Sequence, residues 1–245
     1  MSSAASATEK HSLSHLPAIL FKSESLSPDV RLLTLQVEID SPLKFLAGQS
    51  IRVEQEINGK VVPLVYSIAS PPRGDNLLEL CVKPGRSGSP ADHLCAAGVG
   101  SRLKISPPKG DFVLQESAAT ALFLAAGTGI APIRSMIHWL IRTSNRQPLC
   151  LIFGARNTDS LFFHSEFVDL AMQHANFRYI PVLSRPHHGW SGASGYVQHH
   201  FADLSRDDDA HVYLCGPPAM VENANRSLAE LGWSQDQVHY ERSSW

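Results

Sequence analysis

Hydrophobic positions along the 245-residue chain follow two different rhythms. From about Pro17 to Leu114, apolar and β-branched residues fall in short runs, at residues 30–38, 50–57, 61–69, 77–83 and 102–105, divided by Gly, Pro and Asn. Many short strands at this spacing predict an antiparallel β-barrel. One helical stretch, residues 91–96, interrupts the run after a Gly/Ser loop at 85–89. From about Ala119 the period changes. Strand-length apolar runs at 121–126, 149–154, 177–183, 211–215 and 238–241 alternate with helical patterns at 131–142, 160–174, 196–203 and 218–231. That alternation predicts a doubly wound α/β unit, a parallel sheet covered by helices on both faces. The boundary falls near residues 115–120 with no long linker, so the halves are expected to pack tightly. The division is then 1–16 as a disordered lead rich in Ser and Ala, 17–117 as a barrel domain, and 118–245 as an α/β domain.

Residues 122–140, LFLAAGTGIAPIRSMIHWL, are the most informative segment. A buried-strand run breaks at Gly127-Thr128-Gly129, and a helix follows with Pro132 in its first turn and Ile133, Met136, Ile137 and Leu140 on one stripe. Glycine lets the backbone turn sharply and approach a ligand, and a helix entered this way offers amides and a positive dipole end to a phosphate. The loop has neither the Gly-Lys-Ser/Thr ending of a P-loop nor the third small residue of a dinucleotide fingerprint. Three further strand ends carry Phe153-Gly154-Ala155-Arg156, Ser184-Arg185 and Cys215-Gly216-Pro217-Pro218. All four lie where a strand of an open α/β sheet hands over to a loop, the edge at which ligands bind.

Composition narrows the chemistry. A formal charge of -2 gives no field for gathering nucleic acid or anionic lipid, and no apolar segment reaches membrane-spanning length, so neither partner is expected. Four scattered cysteines (Cys81, Cys95, Cys150, Cys215) show no metal or iron–sulfur spacing, which points to a reduced, cytoplasmic chain with no metal site. The twelve histidines include two adjacent pairs and no metalloprotease helix, and they read as solvated or capping residues.

Taken in order, YSIAS (66–70), the Gly/Ser loop, PPKGDF (107–112), GTGIAP (127–132), FGAR (153–156), Ser184-Arg185 and CGPPAM (215–220) resemble the ferredoxin–NADP reductase superfamily, over nearly the whole chain after residue 17. The resemblance implies an antiparallel flavin-binding barrel followed by an NAD(P)H-binding α/β domain, with FAD, or FMN, as cofactor and NADPH or NADH as substrate. It implies that Tyr66 lies against the flavin ring with Ser67 near its N5 and Ile68 beside them, and that Gly88-Ser89, with Lys83 to hand, holds the flavin phosphates. Gly127, Thr128 and Gly129 would receive the nicotinamide-nucleotide pyrophosphate, and Cys215 would sit by the nicotinamide. Glu241 would assist proton or hydride traffic, and Trp245 would be the closing aromatic. Ser67, Cys215 and Glu241 are thus the catalytic candidates.

One position departs from the family pattern Arg-x-Tyr-Ser: Leu64 stands where the arginine that pairs with flavin phosphate belongs. Arg86 and Arg52 are the candidate substitutes. At the third strand end Ser184 and Arg185 suit the 2′-phosphate of NADPH, with Arg156 as a second cation. The leading functional reading is a flavoprotein reductase that delivers electrons to a separate ferredoxin, flavodoxin or oxygenase component, as a monomer or weak dimer. Reduction of free flavin or ferric chelates, and service as an electron-transfer subunit of a larger complex, are the alternatives.

Overall fold

The computed structural model describes residues 15–57, 59–115, 119–144, 146–201 and 208–242. Two six-stranded sheets form in chain order. The first contains β1 (Leu16–Ser27), β2 (Val30–Val37), β3 (Ser50–Ile57), β4 (Lys60–Ser67), β5 (Leu77–Val82) and β6 (Arg102–Ile105), in the spatial order β4-β3-β6-β1-β2-β5. All its pairings are antiparallel, and a bridge between Ile68 and Leu80 joins the end of β4 to β5 across the barrel. A short helix, α1 (Pro90–Ala96), lies between β5 and β6.

β1 was not visible as a separate run in the sequence, and its second half explains why. Leu16, Ala18 and Leu20 alternate inward, but the pairing with β2 shifts register between Leu20 and Lys22, and the following residues are largely polar and exposed. A bulge breaks the period of two from which a strand is read.

The second sheet contains β7 (Thr120–Ala126), β8 (Leu149–Ala155), β9 (Phe177–Leu183), β10 (Ala193–Ser194), β11 (Ala210–Gly216) and β12 (Val238–Arg242), in the order β10-β9-β8-β7-β11-β12 and wholly parallel. The chain runs outward from β7 to β10 and returns to the other side of β7 as β11, so a topological switch point flanks β7. Helices α2 (Ile130–Arg142), α3 (His164–Gln173) and α4 (Pro218–Glu230) cover the faces.

Two helical expectations change. The helix expected from residue 160 begins at His164, because Phe163 adopts a left-handed backbone (φ +57°) while Leu161 and Phe162 turn into the core. The helix expected at 196–203 is a single short turn, Val197–His199, and its end lies outside the described residues. Residues 1–14 of the expected lead, residues 116–118 of the expected boundary, and Trp245 also lie outside them.

Three apolar clusters hold the molecule. One fills the barrel around Leu20, Leu33, Ile51, Val53 and Leu80. Another lies on one face of the parallel sheet around Leu124, Ile152, Val212 and Leu228. The third, on the opposite face, joins Phe123, Phe153, Phe167 and Tyr213 to the barrel residues Val30, Ala69, Cys81 and Phe112. Apolar burial is therefore continuous across the seam between the two sheets, and the seam has a fixed geometry.

Candidate active site

At the carboxyl end of β7 the chain turns through Gly127–Gly129 into α2. Gly127 takes a left-handed φ of +56°, a conformation that costs other residues energy. Gly129 has ordinary helical angles but no room. A Cβ there would strike the Cys215 carbonyl on β11 and lie 2.7 Å from the Gly216 amide nitrogen. The two glycines thus lay the loop directly on the neighbouring strand, and no side chain caps the helix that follows.

Above this loop opens a cavity of about 780 Å³. Its sheet-side wall comes from Gly127 and Thr128, Gly154 and Arg156, Ser184, and the loop and helix after β11. Its far wall comes from the barrel: Asp29, Val30 and Lys83. Two buried side-chain oxygens in the lining have no hydrogen-bond partner among the described residues, Thr128 Oγ1 and Gln198 Oε1. Buried polar atoms are seldom left so, and this pair fits a polyhydroxylated, phosphorylated guest such as a nicotinamide nucleotide. At the end of β9 the Ser184 amide donates to Ala155 and the Arg185 amide to Arg156, which sets the two arginines side by side. Arg156 lines the cavity, whereas Arg185 is exposed beyond its lining. Sequence reasoning grouped Lys83 with the Gly/Ser loop. Here its ammonium pairs with Asp29 at 2.8 Å on the cavity wall.

At the seam between the sheets, three residues distant in sequence meet. The Ser67 hydroxyl, at the end of β4, donates to Glu241 Oε2 at 2.8 Å, and Cys215 Sγ lies 4.0 Å from the same oxygen. Cys215 and Glu241 face each other in the parallel register of β11 and β12. Burial raises the Glu241 carboxyl above its ordinary range, and the Ser67 hydrogen bond offsets part of that rise. Burial, reinforced by the Glu241 charge, keeps the Cys215 thiol protonated. The result is a carboxyl with raised proton affinity, beside a neutral thiol and a hydroxyl. None of the three lines the large cavity.

Tyr66 packs half-buried against the barrel core, and Ile68 is wholly buried there, its amide donating to the Gln49 carbonyl at 2.9 Å. Leu64 faces Val53 across the β3–β4 pair, on the same side as Tyr66. Arg52 pairs with Val65 on the opposite side and lines a separate small groove with Lys109, so it does not replace the missing arginine. Ser89 caps α1, accepting from the Asp92 amide at 3.1 Å, and the Gly88 amide donates to Asp92 at 2.8 Å. With the Ser89 amide donating to the Arg86 carbonyl at 2.9 Å, the Gly/Ser loop satisfies two of its own amides, and the Arg86 side chain stays exposed beside it. The exposed Arg86 guanidinium is the donor here that would suit a flavin phosphate.

Residues 17–114 match an oxidoreductase FAD-binding domain, and residues 123–226 match an oxidoreductase NAD-binding domain. Ferredoxin–NADP reductase B of Sorangium cellulosum is 36% identical over 227 residues, covering 89% of this chain and 93% of that protein. The chain belongs to the ferredoxin–NADP reductase family. It is an oxidoreductase with FAD-binding and NAD-binding domains. The xylene/toluene monooxygenase electron transfer component XylA of Pseudomonas putida is 31% identical, over 92% of this chain and 64% of that longer protein. A ferredoxin NADP+ reductase of Neisseria gonorrhoeae, solved with bound FAD and NADP, superposes with a TM-score of 0.81 over 94% of this chain and 98% of that one; at 19% identity it bears on fold alone.

Sequence reasoning missed several cavity residues. Asp29 sits in the β1–β2 turn, and Tyr196 and Gln198 flank a buried Val197. The signal was present in Tyr196-Val197-Gln198, an apolar residue between two large polar ones, but it was read as part of a helix.

Proposed function

We propose that this chain accepts hydride from NADPH on a bound FAD and releases the electrons to a separate protein of the ferredoxin or oxygenase-component class. The observation that carries the reading is the meeting of Ser67, Cys215 and Glu241 at the seam, directly behind the Gly127–Gly129 loop that touches Cys215. FAD, when bound, supplies the redox chemistry, accepting two electrons together and returning them to carriers that take one.

The chain's own residues do the rest. Thr128 and the loop amides would hold the nucleotide pyrophosphate, with Gln198 supplying a further polar contact. Ser184, Arg185 and Arg156 would select NADPH, because two guanidinium groups suit a 2′-phosphate that NADH lacks. Tyr66 would wall the flavin ring, while Gly88, Ser89 and Arg86 would receive its phosphates. Ser67 and Cys215 are small enough to flank the reacting atoms without blocking them, and Glu241, accepting the Ser67 hydroxyl at Oε2, would exchange a proton with it. Lys83, held by Asp29 on the cavity wall, would offer its ammonium as a hydrogen-bond donor to the nucleotide. No helix among the described residues is long and apolar enough to cross a membrane. All four cysteines are free, which suits a reducing cytoplasm.

Steady-state turnover with NADPH tests the acceptor assignment. Rapid reduction of an added ferredoxin, and slow reduction of free flavin or ferric chelates, is the expected result. Equal rates with free flavin would replace the protein acceptor by a small one.

A further inference from the structure

Five residues past Gly129, Arg134 leaves α2 and crosses the seam. Its side chain is 11% exposed and every nitrogen is used. Nε and Nη2 donate to the two carboxylate oxygens of Glu166 on α3, at 2.7 and 2.9 Å. Nη1 donates to Glu79 Oε2 on β5 at 2.7 Å and to the Ala69 carbonyl at 3.0 Å. The guanidinium also lies 4.4 Å from the centre of the Phe163 ring. The next residue repeats the connection: the buried Ser135 hydroxyl donates to the Ser70 carbonyl at 2.8 Å. On the barrel side the Ala69 amide donates to Glu79 and the Glu79 amide to Ser70 Oγ. One short, fully hydrogen-bonded path therefore runs from the Gly127–Gly129 loop through the start of α2 to Ala69 and Ser70, which follow Ser67 closely.

We propose that Arg134 is a positioning residue for hydride transfer, bolting the nucleotide loop to the Ser67 end of β4 so that nicotinamide and flavin meet at reacting distance. The inference rests on the proposed hydride reading. A planar guanidinium with a bidentate partner on one side and two acceptors on the other fixes both distance and angle, which a lysine cannot do. Loss of the bolt lets the two sites drift, and small misplacements weaken reaction far more than binding.

The test uses the full chain loaded with FAD, comparing wild type with Arg134→Lys, Arg134→Met and Glu79→Gln. Glu79→Gln leaves the Glu166 fork in place and loosens only the barrel side, so it serves if Arg134→Met does not fold. Hydrogen exchange of segments 67–70 and 128–135, without nucleotide, reports the bolt itself. Anaerobic single-turnover reduction by saturating NADPH and the Kd for NADP+ report its consequence. Glu79→Gln and Arg134→Lys should exchange faster in both segments and reduce the flavin about tenfold more slowly, with Kd changed by less than about threefold. Reduction within about twofold of wild type would make the cluster purely structural, and unchanged exchange would deny the bolt; either overturns the proposal. A wild-type protein that NADPH does not reduce would refute the hydride reading first, before any variant is compared.

Discussion

The two glycines of the Gly127–Gly129 loop are both required, but for different reasons, and the difference is measurable. At Gly129 the backbone is helical (φ −60°, ψ −11°), so its conformation alone would admit alanine. Sterics oppose it. The added Cβ would meet the carbonyl of Cys215 and the amide nitrogen of Gly216, both backbone atoms of a central strand that has little freedom to yield. Forced insertion into packed structure costs about 1–3 kcal/mol, and contact with rigid backbone belongs at the upper end. Gly129→Ala should therefore lose about 2 kcal/mol, and, by lifting Thr128 off β11, weaken NADP+ binding about tenfold. At Gly127 a Cβ meets nothing within 4 Å, and the cost is the left-handed backbone, about 1–2 kcal/mol for alanine. Asparagine tolerates that conformation better, so Gly127→Asn should recover part of the loss, whereas Gly129→Asn should be worse than Gly129→Ala. Urea denaturation gives the stabilities and calorimetric titration with NADP+ the affinities. A Gly129→Ala variant as stable as wild type would show that the loop does not rest on β11.

Three further outcomes follow from the seam and the cavity. The Glu166 carboxyl is buried, which alone would raise it, but the His138 and Arg134 hydrogen bonds hold it down at about 2, below the ordinary 4.5. Its contribution to stability is therefore present above the ordinary value and lost as pH falls from there toward 2. Glu166→Gln should flatten that acid limb in urea midpoints, and an unaltered limb would contradict the assignment. Ser67→Ala removes the hydrogen bond that lowers the Glu241 carboxyl, so Glu241 should stay protonated to higher pH and the pH profile of flavin reduction should move upward; a profile that stays in place would uncouple the pair. Arg185→Glu should cost NADPH about tenfold or more in kcat/KM and NADH little, and equal losses would remove Arg185 from specificity.

Much of this organisation is legible in the sequence because the chain changes period. Alternating runs before residue 114 and buried runs after residue 119 are dictated by which faces meet water, and the two sheets follow from them. Gly127 and Gly129 were legible as a tight approach, although only the structure shows that one is required by φ and the other by Cys215. Strand β1 was obscured because its bulge and its polar second half break the pattern. The Ser67–Glu241 contact joins residues 174 positions apart, and nothing local in either segment records it. Lys83 was placed with its sequence neighbours, but its position directly after β5 turns it to the large cavity and Asp29. Arg134 carried no signal in the sequence, because its partners Glu79 and Glu166 come from two other elements.

The measurement that bears most directly on the central claim is an anaerobic titration of the FAD-loaded protein with NADPH, followed by flavin absorbance. Complete bleaching with about one equivalent of NADPH per flavin is the predicted result, since two electrons pass in a single hydride. A protein that fails to retain FAD, or a bound flavin that keeps its oxidised absorbance in excess NADPH, would contradict it.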